Sequence, residues 1–242
     1  MKYIRLVIII ALIFIIGKYL RCSCVEKLNN SSSNSELLQQ RKIKDEMIRK
    51  DIFHGLKVMD EIFNKHNIYY TIGYGTLLGA VRHWDMIQWD DDADIHILRK
   101  DIKKIMKLKN EFKKHGIILK KDWKLLKLYF NKNEYPFIDL FPIDSIEGKT
   151  KRCRPFSKKC EQINQGWWTS WYNFPFEWLK ERKRLKFGNL TLWAPKETIK
   201  LLKFWYGKNC LKECYSANYD HITGKYVKPK LIKCLNLPKP QI

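Results

Sequence analysis

"YGTLLGAVRHWDMIQWDDDADIHI" (residues 74–97) packs Asp90, Asp91, Asp92 and Asp94 into five positions, with tryptophan before them and an isoleucine-rich run after. Carboxylates this close repel one another, and apolar surroundings raise that cost. If "WDDDADIHI" is extended, alternate side chains share a face. Asp90, Asp92, Asp94 and His96 then project together, while Trp89, Ala93, Ile95 and Ile97 turn to the core and Asp91 is the exception. Strand neighbours two apart lie about 6–7 Å from each other, so both carboxylates reach one hard cation at roughly 2.0–2.6 Å per ligand. Mg²⁺ or Mn²⁺ would neutralise the repulsion, and such ions commonly serve phosphoryl transfer. Asp139 in "PFIDLFP" (136–142), flanked by apolar residues on a neighbouring strand, is the expected third ligand. The competing reading is a surface acidic or calcium loop. An EF-hand loop needs a glycine and a closing glutamate, whereas here the cluster runs directly into a hydrophobic strand.

Just upstream, "GYGTLLGA" (73–80) is a glycine turn opening a helix. Gly73 and Gly75 let backbone N–H groups approach a phosphate, and a helix N-terminus favours negative charge. Thr76 is placed to cap that helix. A lone G-x-G is common in ordinary turns; its weight comes from the aspartates that follow. Arg82 has the chemistry to clamp a phosphate in bidentate fashion, or it is a surface arginine at a helix end. His83 suits acid–base work or a structural hydrogen bond.

The rest of the chain alternates strands and helices. Apolar residues at Leu38, Ile48, Ile52, Leu56, Met59 and Phe63 have helical spacing. "YYTI" (69–72) and "ADIHIL" (93–98) read as strands, and "KDIKKIMKLKNEFKKHG" (100–116) as one helix closing on Gly116. "WKLLKLYF" (123–130) and "PFIDLFPID" (136–144) are two more strands. Residues 145–176 read as an irregular aromatic loop. "APKETIKLLKFWYG" (194–207) restores a helix, and residues 220–242 read as an extended tail. The pattern predicts an α+β domain: a small mixed sheet flanked by helices.

At the N-terminus, Leu6–Gly17 is uncharged and apolar between Lys2/Arg5 and Lys18/Arg21. We read residues 1–21 as a signal anchor, 22–41 as a stem containing "NNSSSNS", 42–219 as the catalytic domain and 220–242 as the tail. A cleaved signal peptide is the alternative, which would give a secreted protein. Either way the domain enters the secretory lumen, with the Golgi or endoplasmic reticulum membrane the expected site of an anchored form. The net charge of +22 suits anionic partners such as phosphorylated substrates. A lumenal domain argues against nucleic acid. Seven cysteines predict disulfides, with Cys153–Cys160 and Cys210–Cys214 as local pairs; no CxxC pair supports zinc. Asn29, Asn30 and Asn189 each begin an N-x-[ST] sequon.

"GYGTLLGAVRHWDMIQWDDDADI", with "FIDLFP", "FPFEWLKERKRLKFGNL" and "APKETIKLLKFWYGKN", resembles the LicD family, which includes fukutin and fukutin-related protein, from about Lys42 to Tyr219. The resemblance implies a nucleotidyltransferase-type fold. It implies transfer of a phospho-alcohol, such as phosphocholine or ribitol phosphate, from a CDP-activated donor to a glycan. It places metal aspartates on Asp92, Asp94 and Asp139, a donor-phosphate turn on Gly73, Gly75 and Thr76, and the following basic position on Arg82. Gln88 stands where proline is usual, and His96 is unusual after the aspartate motif. Two other activities fit the same residues: nucleotidyl transfer from a nucleoside triphosphate, and glycan binding without catalysis. Trp167, Trp168 and Trp171 are candidates to stack on a sugar or base, against the alternative of core packing.

Overall fold

The computed structural model describes residues 46–241, except 123, 131–133, 163–167, 217–218, 221–224, 227, 233 and 235–236; of residues 168, 169, 219, 220 and 226 it gives the backbone alone. The expected anchor and stem, the sequons at Asn29 and Asn30, and Cys22 and Cys24 lie outside the described residues. No described helix is long and apolar enough to cross a membrane. The compact unit considered below is Ile48–Ile242.

Helix α1 covers residues 48–65 of this unit and buries Ile48, Ile52, Leu56, Met59 and Phe63, the stripe its spacing predicted. There follow β1 (Tyr70–Ile72), α2 (Tyr74–His83) and β2 (Asp92–Leu98). A 3-10 turn then leads into α3 (Ile102–Lys107) and α4 (Lys109–Lys114). The single helix expected over 100–116 is thus broken at Leu108. Its buried residues Ile102, Ile105 and Leu108 are spaced by three, which turns an α-helical stripe back by about 60° per step. The break brings Phe112 onto the same core.

Strands β3 (Ile117–Lys121), β4 (Leu126–Phe130), β5 (Phe137–Ile146) and β6 (Lys149–Arg152) complete a six-stranded mixed sheet. Its order is β1-β2-β5-β4-β3, with β6 also on β5. Only the β2–β5 pair is parallel among these strands. One face is apolar: Tyr70, Ile72, Ile95, Ile97, Ile138, Leu140, Leu126, Leu128, Ile117 and Leu119 are all buried. The other carries Asp92, Asp94, His96, Asp139, Phe141 and Lys127, which the register sets side by side.

After the short helix α5 (Trp168–Trp171) comes a hairpin, β7 (Arg182–Phe187) and β8 (Leu190–Pro195), then α6 (Thr198–Tyr206). Pro195, inside the stretch 194–207 read as helix, ends β8 instead. The tail is bound back onto the domain. Lys239 C=O accepts from Trp84 Nε1–H at 2.8 Å, and Gln241 bonds Ala80, Val81 and Lys186. Cys153–Cys160 is a disulfide, as expected. Cys210–Cys214 is not: Cys214 on β9 (Cys214–Tyr215) joins Cys234, because β9 pairs with β10 (Leu231–Ile232), and Cys210 is a buried thiol.

Candidate active site

Asp94 and Asp139 are register partners across the parallel β2–β5 pair, and Asp92 lies one alternation away on β2. Equal register puts their side chains on one face. One carboxylate oxygen from each of Asp92, Asp94 and Asp139 lies within 4.8 Å of the others. Three hard oxygen donors in that space fit a divalent cation of the Mg²⁺ or Mn²⁺ type. Burial, and then the charges of Asp92, Asp139 and Asp90, push the Asp94 carboxyl well above the usual range. Asp90 precedes the strand and turns toward Gly75: a Cβ there would meet Asp90 Oδ2 at 2.9 Å. Asp91 accepts a 2.8 Å hydrogen bond from the Tyr135 hydroxyl.

The glycine turn grips Asp94 from three sides. Gly73 N–H donates to the Asp94 carbonyl at 2.9 Å, and the Thr76 hydroxyl oxygen accepts from Asp94 N–H at 2.8 Å. The Gly75 N–H hydrogen-bonds the Asp94 carboxylate and opposes its upward shift. Thr76 therefore does not cap α2. The helix begins at Tyr74 with Gly73 as its N-cap and no side-chain cap bond, so Thr76 sits inside the first turn and reaches across to β2. Tyr74 is held at φ 38, a left-handed conformation uncommon outside glycine. Its ring is clamped by Trp205 at 4.5 Å, His96 at 5.0 Å and Phe141 at 5.6 Å.

Arg82 is buried at the far end of α2, where its Nη1 donates to the carbonyls of Cys210 (2.9 Å) and Glu213 (2.6 Å). His83 accepts from Arg82 Nε at 3.4 Å; burial and the Arg82 charge push its pKa down to about 4, so it is neutral at physiological pH. His96 is fully buried, and among the described residues neither of its ring nitrogens has a hydrogen-bond partner. Burial, then Arg152, brings its pKa to about 3.

Two site residues were not visible from the sequence. Lys127 on β4 faces Asp139 with Nζ 2.7 Å from Oδ1. Tyr206, at the end of α6, is half-exposed and packs edge-on against Trp171 at 5.6 Å. Burial of its hydroxyl, then the charges of Asp94, Asp90 and Asp92, raise its pKa well above the usual tyrosine value, so the phenol lies within the field of the carboxylates. Of the three tryptophans, Trp167 lies outside the described residues and Trp168 contributes only backbone. Trp171 is partly buried between Tyr74 and Tyr206.

Residues 67–197, more than half the chain, match the nucleotidyltransferase domain of LicD/FKTN/FKRP. The chain belongs to this family. A lipopolysaccharide cholinephosphotransferase, LicD of Haemophilus influenzae, is 26% identical over 130 residues, covering 47% of each chain. An uncharacterised protein of Rickettsia typhi is 41% identical over 69 residues, 28% of this chain and 22% of that one. The chain thus spans less than half the length of these relatives. Among solved structures, the lincomycin-bound lincosamide adenylyltransferase LnuA is 16% identical with a TM-score of 0.38, covering 61% of this chain and 82% of that one.

Proposed function

We propose that this protein transfers a phospho-alcohol, such as phosphocholine or ribitol phosphate, from a CDP-activated donor to a glycan. The observation that carries the reading is the trio Asp92, Asp94 and Asp139, whose carboxylate oxygens gather within 4.8 Å inside a LicD domain. The cholinephosphotransferase relative supports the class of group moved. In this reading the three aspartates hold Mg²⁺ or Mn²⁺, which when bound neutralises charge on the donor diphosphate. The turn Gly73–Gly75–Thr76 fixes Asp94 and brings the N-terminus of α2 to the donor phosphates. Arg82 anchors the other end of α2. An acceptor sugar hydroxyl attacks the donor phosphorus next to the alcohol and gives its proton to solvent water, the bond to the CMP oxygen breaks, and CMP leaves. Catalysis is then mainly positioning and charge neutralisation. Tyr206 and Trp171 offer aromatic surface at the edge of the carboxylates for a ring of donor or acceptor.

We further propose that the chain works in the secretory pathway, anchored in the Golgi or endoplasmic reticulum membrane by residues 1–21 or secreted after their removal. The apolar run and the two disulfides among the described residues support this.

The test incubates the full chain with Mn²⁺ or Mg²⁺, a panel of CDP-alcohols and a glycan mixture, following CMP. Release from one donor, absent in Asp92→Asn and Asp94→Asn, is the expected result and identifies the group. Pyrophosphate released from a nucleoside triphosphate, with every CDP-alcohol inert, would replace this reading with nucleotidyl transfer on the same aspartates. Binding of glycan with no turnover of either donor class would leave a binding protein.

A further inference from the structure

Lys127 occupies the middle of β4, directly across from Asp139. Its ammonium lies 2.7 Å from Asp139 Oδ1 and 3.4 Å from the centre of the Phe137 ring. Only 16% of the lysine side chain and 12% of the aspartate side chain are exposed. On either side of it, Leu126 and Leu128 face the apolar layer, so the alternation of β4 delivers this single charge to the carboxylate face. A divalent cation on Asp92, Asp94 and Asp139 would therefore sit close to a second positive charge. Both cannot claim Asp139 fully, and their repulsion is strong where water is scarce. An anionic group between them would relieve that repulsion.

Two of the groups expected from sequence to meet a phosphate are engaged elsewhere. Arg82 Nη1 serves the carbonyls of Cys210 and Glu213, and Gly73 N–H serves the carbonyl of Asp94. Lys127 has a partner that an arriving cation would compete for. We propose that Lys127 is a phosphate-binding residue: it neutralises Asp139 in the ion-free protein and passes to a phosphate of the substrate when the cation takes Asp139. This rests on the metal site and diphosphate donor proposed above. Its cation–aromatic seat on Phe137 lets the ammonium leave Asp139 without becoming isolated.

The experiment compares the full-length wild type with Lys127→Met and Lys127→Arg. Mn²⁺ affinity is read from free Mn²⁺ by electron paramagnetic resonance without nucleotide. Affinities for CDP and for pyrophosphate, which carries the phosphates alone, are read by calorimetry at saturating Mn²⁺. We expect Lys127→Met to bind Mn²⁺ several-fold more tightly and both phosphate probes at least tenfold more weakly, with Lys127→Arg recovering most of the phosphate binding. The opposite signs are diagnostic. Weaker Mn²⁺ binding with unchanged phosphate affinity would make Lys127 a mere prop for Asp139 and overturn the proposal. Tighter Mn²⁺ with unchanged phosphate affinity would remove the phosphate role. A wild type that binds Mn²⁺ but neither probe would overturn the phosphate role together with the diphosphate donor. No Mn²⁺ binding by the wild type would instead sink the metal site itself. If Lys127→Met does not fold, Lys127→Gln, checked by circular dichroism, carries the same comparison.

Discussion

Asp60 and Asp94 are both carboxylates set against the core, and their surroundings push them in opposite directions. Asp60, on α1, accepts from Arg184 Nη1 and Nη2 at 2.7 and 2.8 Å, from Asn64 at 2.8 Å and from the Tyr70 hydroxyl. Burial alone would raise its pKa, but the Arg184 and Tyr70 bonds prevail and hold it below the usual range. The result fastens α1 to the β7–β8 hairpin. Asp94 is likewise partly buried, and on top of that burial the charges of Asp92, Asp139 and Asp90 push it up as well. A carboxylate that builds the fold draws its cations and donors from the chain. One crowded by other carboxylates needs a cation beside it to be stable in its charged form.

The sharpest break of this comparison exchanges one charge at each place. Asp94→Asn should cut CMP release by at least on the order of a hundred-fold, the scale of losing transition-state charge stabilisation, while the melting temperature stays level or rises as like-charge repulsion is relieved. Asp60→Asn should do the reverse, leaving turnover of the folded enzyme nearly intact. Loss of stability in Asp94→Asn would show that Asp94 also builds the fold. Saturating Mn²⁺ is the next largest effect. At a hundred times its dissociation constant it should stabilise the wild type by about 2.7 kcal/mol, and far less in Asp94→Asn; equal shifts in a thermal melt would place the ion elsewhere.

For Asp60→Asn we expect a cost of about 2 kcal/mol, or roughly 4–8 °C in melting temperature. Because the folded pKa of Asp60 is depressed, its contribution is complete above the unfolded value near 3.9 and is lost as pH falls through the folded value. Denaturant titrations across the acid range should therefore show the variant losing less on acidification than the wild type. Parallel curves would mean that Asp60 does not carry this dependence. A comparison of two glycines ends on the smallest effect. A Cβ on Gly73 would lie 2.7 Å from Cε1 of the buried His96 ring, which Tyr74, Phe141 and Trp205 confine; Gly73→Ala should cost about 1–3 kcal/mol. On Gly75 the obstacle is the end of the Asp90 side chain, which can rotate away, so Gly75→Ala should cost under about 1 kcal/mol. Calorimetric melts of the two variants give the order.

How much was legible divides along the same lines. Alternation in "DADIHI" and the apolar frame of Asp139 sufficed to name the three aspartates, because both signals are local. Lys127 was one lysine among many in "WKLLKLYF", and only the β4–β5 register sets it against Asp139. Tyr206 reaches the site by the docking of α6, which no local pattern encodes. The β7–β8 hairpin was passed over because its strand "RKRLKF" is largely basic. Its alternation is real, since Leu185 and Phe187 are buried, and Gly188 at φ 59 makes the turn. Strand β3 was missed directly after Gly116, where "IILKK" is too short to stand out from the helix before it. Cys214 finds Cys234 rather than Cys210 because strand pairing, not proximity in sequence, decides which thiols meet.

The parallel pair of this sheet also has a bearing on how the molecule assembles. Between β2 and β5 the chain passes through α3, α4 and the β3–β4 hairpin, so Asp94 and Asp139 meet only after a long crossover has closed. Local hairpins such as β3–β4 close sooner, since loop closure costs them less. Cation binding should therefore be among the last properties to appear during refolding. Because a one-residue slip of β5 would turn Asp139 to the opposite face, Mn²⁺ uptake would report whether the central strand has found its register.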